Sequence, residues 1–326
     1  MHPTPPLLEV ENLKVEIATK AGSFFSVNDH SFTVNAGETL GIVGESGSGK
    51  SMTAMSLMRL LPKHAASIRG GSVRLDGRDL LELSEKEMRK VRGKDISMIL
   101  QDPQTSLNPA FTVGDQISEA LRLHDPEARK SLRERAIDAL RRVKVAAPEH
   151  RVDAYPGEMS GGMRQRVVGA IAISCRPKLI IADEPTTSLD VTVQAQYLRL
   201  LRELQEETGM AIIFITHDFG IVANLCHRIL VMYAGRIVES GTVAQIFARP
   251  AHPYTEALIA AVPKLYGHQG RLRTIPGQPP APTDVITGCP FAPRCEKADD
   301  HCRREAPPTV SAGADHTASC WKVEQA

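Results

Sequence analysis

The stretch Gly44-Glu45-Ser46-Gly47-Ser48-Gly49-Lys50-Ser51 constrains this chain more than any other. It has the G-x-x-x-x-G-K-S spacing of a phosphate-binding loop. Such a loop works only between a buried strand and a helix, and both flanks are legible. Glu38-Thr39-Leu40-Gly41-Ile42-Val43 ahead of it is a short apolar run suited to a buried strand. Met52 to Leu61 behind it is a helix former with an apolar stripe. The glycines let the backbone wrap around phosphate oxygens in conformations that a Cβ forbids. The amides then converge at a helix N-terminus, where the dipole already favours negative charge. Lys50 can reach the β- and γ-phosphates of a nucleotide, and the Ser51 hydroxyl can ligate Mg²⁺. A Gly/Ser-rich turn matching by chance would lack these flanks.

A second signal fits the first. Leu179-Ile180-Ile181-Ala182 is an apolar run ending in Asp183-Glu184. An aspartate at the end of a buried strand can hold Mg²⁺ or its water. Glu184 follows at once, and alternation along a strand sends it to the other side, where it can activate an attacking water as general base. Taken alone, Asp183 could equally be a capping acid at a strand end. Ala211 to Ile215 is another buried strand, followed by Thr216-His217-Asp218. Continuous apolar strands separated by helical stretches argue for a parallel sheet buried on both faces.

The rest of the chain is β-rich before the loop and helical from about Asp102 to Cys175. Leu7–Ile17, Phe24–Val27, Ser31–Val34 and Gly70–Gly77 read as strands, and Val113–Leu123 and Ala128–Val145 as helices. Ile229–Tyr233 and Arg236–Glu239 flank Ala234-Gly235 as a hairpin. The second helix carries Arg129, Lys130, Arg133, Arg135, Arg141, Arg142 and Lys144. We read these as a solvated face balanced by acids, because no aromatic side chain interleaves them as single-stranded nucleic acid would require. The formal net charge of +1 over 326 residues adds no field that would attract nucleic acid. No apolar run of about 18 residues is present to span a membrane. The N-terminus lacks the basic start and apolar stretch of a signal peptide, so the expected compartment is the cytoplasm.

Met159-Ser160-Gly161-Gly162-Met163 opens a further helix and supplies the decisive signal. Here the chain resembles the ATP-binding cassette (ABC) ATPases, whose signature reads L-S-G-G-Q. The resemblance runs from about Leu7 to Gly241 and takes in Gln101 (Q-loop), Ser188-Leu189-Asp190 (D-loop) and His217 (H-loop), in the family's order. It implies an α/β P-loop NTPase fold: a RecA-like parallel sheet core, an antiparallel β subdomain and an inserted helical subdomain over about 103–175. The ATPase domain is expected over 1–240. The resemblance further implies that Ser160, Gly161 and Gly162 meet the γ-phosphate held by a partner subunit, that Asp190 lies near that junction, and that His217 contacts the γ-phosphate. Gln101 would join Ser51 and Asp183 around Mg²⁺. Two departures stand out. Met159 and Met163 replace the outer signature residues. The family's adenine-stacking aromatic aligns near Ile17, which cannot stack as a ring does; Phe24 or Phe25 could take its place, although core packing is the expectation for both, and the adenine contact stays open.

Within the family, the resemblance is to the ATPase subunits of bacterial oligopeptide and dipeptide importers. It is carried by Gly41–Ser51, Gln101–Pro109, Asp190–Gln196, His252-Pro253-Tyr254-Thr255 and Ile275-Pro276-Gly277. Such subunits act at the cytoplasmic face of the bacterial cell membrane as peripheral proteins. The implied partners are a second ABC ATPase, identical or different, two transmembrane permease subunits and an extracytoplasmic solute-binding protein. The loop Asp102–Pro109 would touch the permease. Importers of nickel, glutathione and other solutes share this ATPase type. Soluble ABC ATPases acting on DNA or ribosomes carry coiled-coil inserts, internal zinc modules or a second cassette, none of which is present.

The tail, 241–326, is expected to be a small Cys-rich extension. Cys289, Cys295, Cys302 and Cys320 follow the spacing C-x₅-C-x₆-C-x₁₇-C. In a cytoplasmic chain these are not expected to be disulfides. Four thiolates can hold tetrahedral Zn²⁺ or an iron–sulfur cluster. Structural zinc favours tighter pairs, and the importer subfamily implies a [4Fe–4S] cluster. Arg294, Lys297, Arg303 and Arg304 are placed to offset its charge. Cys175 and Cys226 are expected to be packing residues.

Overall fold

The structure is a computed structural model and describes residues 5–20, 22–125, 131–262, 274–281 and 284–323. The chain forms two compact units, one built mainly from Glu82–Ile215 with Val34–Glu38, the other from Leu8–Thr33, Thr39–Leu81 and the chain beyond Thr216.

The first unit is organised around parallel strands Ile96–Ile99, Leu179–Asp183 and Ala211–Thr216. Every residue of Leu179–Asp183 is buried, as the unbroken apolar run required. The helices Val113–His124, Leu132–Arg142 and Gly161–Ile173 pack on one another. Thr112 caps the first of these by accepting from the Asp115 amide. The expected start of the second helix at Ala128 lies outside the described residues. Its basic residues are taken up in ion pairs: Arg133 with Asp153 at 2.6 Å, Arg141 with Glu149 at 2.8 Å, Arg142 with Glu207 at 2.6 Å, Arg135 with Asp125, and Lys144 with Glu203. The charge run is thus a solvated face, while Arg129 and Lys130 lie outside the described residues. The helix Val191–Thr208 begins where Asp190 accepts from the Thr192 and Val193 amides and ends at Gly209, φ 69°.

The second unit holds two sheets. In one, Leu8–Thr19 lies between Gly22–Val34 and Ala66–Leu75, running antiparallel to the latter, with Arg78–Asp79 antiparallel at the edge. The two short strands expected over Phe24–Val34 are one continuous strand. In the other, Thr39–Val43 runs parallel to Arg228–Tyr233, which turns through Ala234 (φ 46°) and Gly235 (φ 75°) into Arg236–Thr242. Two successive positive φ values are what a tight two-residue hairpin needs. The tail extends this sheet: His316–Ala318 pairs with Arg236–Thr242, and Val310–Gly313 pairs with His316–Ala318. Val43, Phe219, Val231, Tyr233, Tyr254 and Phe291 share one buried core. Residues of the extension therefore sit in the same core as the strand that leads into the phosphate loop.

Candidate nucleotide site and thiol cluster

The loop Gly44–Ser51 is a cradle that only glycine permits at key points. Gly49 has φ 102°, and a Cβ there would stand 2.1 Å from the Ser26 carbonyl oxygen. At Gly44, φ 157°, a Cβ would stand 2.2 Å from the Met232 carbonyl oxygen. Gly49 is the N-cap of the helix Lys50–Leu57 and offers no side-chain cap, so the first amides of that helix have no acceptor from it. Lys50 Nζ donates to the carbonyls of Gly44 at 2.8 Å and Glu45 at 3.0 Å, folded back along its own loop. Ser48 Oγ is buried without a hydrogen-bond partner among the described residues. Glycine amides, a lysine and an orphaned hydroxyl at a helix start form a donor set that fits phosphate.

In the other unit, Asp183 closes its strand and is 5% exposed. Glu184 does not continue the strand. Its φ of 45° lies in the left-handed region, so the turn, rather than strand alternation, aims its side chain. The Glu184 amide donates to the Ile215 carbonyl at 3.0 Å, which holds this turn against the neighbouring strand. Its Oε2 accepts from Gln101 Nε2 at 3.3 Å and from Thr187 Oγ1 at 3.0 Å. Sequence reasoning named Gln101 and Glu184 but not Thr187, whose position three residues on, in the same turn, was the available signal. Ser160 is the N-cap of Gly161–Ile173, its Oγ accepting from the Met163 amide at 3.3 Å. Ser160 and Gly161 are exposed. A Cβ at Gly162 would meet Val193 Cγ1 at 2.8 Å, whereas one at Gly161 would meet nothing within 4 Å. Met159 is 3% exposed and serves as the buried apolar anchor of this turn. His217 is exposed, directly after Ala211–Thr216. Phe25 is 43% exposed, which corrects the expectation of core packing. With Phe24 it lines an open cavity of about 360 Å³ beside Gly47 and Gly235.

The four tail cysteines come together. Cys289, Cys295, Cys302 and Cys320 all line one small cavity, closed by His252, Phe291, Trp321, Lys297 and Lys322. The Cys289 amide donates to the Cys302 carbonyl at 2.8 Å, and Asp299 Oδ1 accepts from the Cys302 amide at 3.0 Å. Burial pushes the Cys289 thiol up to about 11 and raises Cys295 and Cys320 as well. Among the described residues, no group of three or more His, Cys, Asp or Glu side chains closes on a single metal ion. The expected cationic screen is only partly present. Lys297 and Lys322 line the cavity, though they pair with Glu256 and Asp299, while Arg304 pairs with Asp300 and Arg294 is directed to Glu45 of the phosphate loop. That link was illegible in the sequence, because 249 positions separate the two residues. Burial also raises the thiols of Cys175 and Cys226, in keeping with packing roles.

Strand, glycine cradle, helix and a strand-end acid pair define a P-loop nucleotide hydrolase. Comparison with known proteins narrows the class. A family model described as "ABC transporter" matches residues 27–187, and one described as "Oligopeptide/dipeptide transporter, C-terminal region" matches 238–302. The "Probable peptide ABC transporter ATP-binding protein y4tR" of Sinorhizobium fredii is 51% identical, over 98% of this chain and 96% of its own length. The "Oligopeptide transport ATP-binding protein OppD" of Salmonella typhimurium is 50% identical, over 98% and 95%. Among solved structures, the ADP- and phosphate-bound dimer of the cassette MJ0796 superposes with a TM-score of 0.65 at 25% identity, covering 72% of this chain and 98% of that one. CbiO1 from Clostridium perfringens gives 0.64 at 29% identity, covering 76% and 92%. The chain belongs to the ABC transporter ATPases, in the branch of oligopeptide and dipeptide transport ATP-binding proteins.

Proposed function

We propose that this chain is the ATP-hydrolysing subunit that powers import of di- and oligopeptides through a membrane transporter. The observation that carries the chemistry is Glu184, held by Gln101 and Thr187 beside the strand-end Asp183. Its carboxylate takes a proton from water as the water oxygen attacks the γ-phosphorus. The bond from phosphorus to the bridging oxygen breaks, and ADP and phosphate leave. Lys50 and the amides of Gly47–Ser51 bind the β- and γ-phosphates, and their positive charge stabilises the transition state. Ser51, Asp183 and Gln101 are the residues that would hold Mg²⁺, which supplies charge neutralisation on the phosphates. His217 binds the γ-phosphate.

Ser160, Gly161 and Gly162 open a second helix of this chain at its surface. They take the γ-phosphate bound by a partner subunit, so that ATP joins a head-to-tail dimer. The dimeric state named for the MJ0796 cassette supports this arrangement. Asp190, the cap of the next helix, faces the same junction. Function divides the chain into an ATPase domain over 1–240, with a helical insertion at about 103–175, and an extension over 241–326. Among the described residues, no helix is long and apolar enough to cross a membrane. In this reading the subunit acts peripherally, at the cytoplasmic face, beneath two permease subunits fed by an extracytoplasmic binding protein. The peptide cargo rests on the names of the relatives and on the match of the extension.

The extension binds a [4Fe–4S] cluster through Cys289, Cys295, Cys302 and Cys320. Support comes from four sulfurs around one cavity. A four-iron cube spaces its ligands more widely than zinc does. Anaerobic iron and sulfide analysis should return about four of each per chain. Zinc, or neither element, would refute the cluster. For transport, the tagged chain is drawn from its native membranes in gentle detergent. Recovery of two polytopic permeases, with ATP hydrolysis stimulated by peptide and its binding protein, is the expected result. Recovery of ribosomal or DNA-bound proteins without permeases would overturn the reading.

A further inference from the structure

Glu45 is the first variable residue of the phosphate loop, and the far end of the chain holds it at two points. Its carboxylate receives a fork from Arg294, with Nη1 to Oε2 at 2.7 Å and Nη2 to Oε1 at 3.0 Å. Its amide donates to the Tyr254 hydroxyl at 2.9 Å. The Arg294 side chain is 5% exposed. Its Nε donates to the Pro276 carbonyl at 3.0 Å, and Nη1 also donates to the Tyr233 hydroxyl at 3.2 Å. Phe291 and Tyr233 rings lie within 6 Å of the guanidinium carbon, at 5.9 and 5.8 Å. A planar fork in such a slot has little freedom to turn, so its direction toward Glu45 is built in. On the loop side, the Glu45 carbonyl accepts from Lys50 Nζ and from the Ser48 amide. The chain of contact thus runs from Arg294 through Glu45 to the lysine of the phosphate site.

We infer that Arg294 is a positioning residue for ATP binding, acting through Glu45, and that the C-terminal extension is a working part of the nucleotide site. Two effects act in the same direction. A glycine-rich loop loses conformational entropy when it closes on phosphate, and anchoring Glu45 removes part of that loss beforehand. Among the described residues, nothing stands within 4 Å of a Cβ built at Gly47, so the outer loop has little packing of its own there. Glu45 also places a carboxylate inside a polyanion site, and Arg294 neutralises it at contact distance.

The test is MgATP affinity of the full-length chain, by equilibrium titration, with steady-state hydrolysis and nucleotide-free melting measured alongside. Arg294→Ala should raise Kd about tenfold, and KM with it, while kcat changes less than threefold. Arg294→Lys keeps the charge but not the fork and should fall between Arg294→Ala and the parent. Adding Glu45→Gln to Arg294→Ala removes the stranded charge and should recover part of the loss. A Kd for Arg294→Ala within twofold of the parent would overturn the inference. So would an equal loss in the single and double variants, since the effect would then not pass through the Glu45 charge. Should Arg294→Ala fail to fold, Glu45→Asp withdraws the carboxylate from the fork and leaves the extension unaltered. It should weaken MgATP to a similar degree, and parental affinity there would equally overturn the proposal.

Discussion

Gly161→Ala adds a methyl group at a position where, among the described residues, nothing stands within 4 Å. Gly161 begins the helix Gly161–Ile173 and is not among the positive-φ glycines. Alanine there reduces the freedom of the unfolded chain and should stabilise the fold by about 0.4–1 kcal/mol. For a domain of this size that raises the melting temperature by roughly 1–3 °C. If the exposed turn Ser160–Gly162 receives a partner's γ-phosphate, the same methyl stands in the path of a close backbone approach. Loss of one charge-assisted donor at a transition state costs about 2.7–4 kcal/mol, so hydrolysis should fall on the order of 100-fold. Nucleotide binding by a single subunit should not change, because the phosphate loop is untouched. The control is Gly162→Ala, whose methyl would meet Val193 Cγ1 at 2.8 Å. Overpacking of that kind costs about 1–3 kcal/mol, so this variant should lose stability as well as activity. The assays are melting temperature, MgATP affinity of the isolated chain, and ATPase rate of the assembled transporter. A stabilised Gly161→Ala with parental turnover would refute the assignment of this turn to a partner's phosphate.

Glu184→Gln should bind MgATP like the parent while turnover drops by at least about 100-fold, the range for losing a general base. ATP should then lock the variant in a dimer visible by size-exclusion chromatography, and near-parental hydrolysis would move the base elsewhere. His30 offers a stability test. It is fully buried between the Gly235 carbonyl, 2.9 Å from Nε2, and Thr53, and burial pulls its pKa down to about 4. Below its ordinary value near 6.5 the unfolded chain takes up the proton that the folded chain refuses. Stability from this residue is therefore full above pH 6.5 and declines toward pH 4. His30→Asn should flatten melting temperature against pH across that window, and an unchanged slope would show that another group titrates there.

Much of the nucleotide site was legible because it is local. The cradle Gly44–Ser51 and the acid pair Asp183-Glu184 each depend on neighbours a few positions away, and spacing encodes them; that Ser160 and Asp190 cap their helices came from the structure. The strands Leu179–Asp183 and Ala211–Thr216 were equally plain as unbroken apolar runs. How Glu184 is aimed was not legible in the sequence. Strand alternation does not aim it; a left-handed backbone turn does, stapled to Ile215 and carrying about 1–3 kcal/mol of strain. Phe25 went astray because an aromatic residue in a strand is usually buried, whereas here it lies on the open side of the sheet.

Residue types and their spacing by themselves determined that this chain has a phosphate-loop pattern, a strand-end acid pair and four cysteines in its tail. Those properties follow from backbone freedom, side-chain chemistry and short-range hydrogen bonds. Tertiary structure alone decided that the thiols share a single cavity and that Arg294 reaches across 249 positions to Glu45. An ion pair of that kind leaves no periodicity and no local motif. It exists only once Tyr233, Tyr254 and Phe291 have packed into one core and brought the tail against the loop.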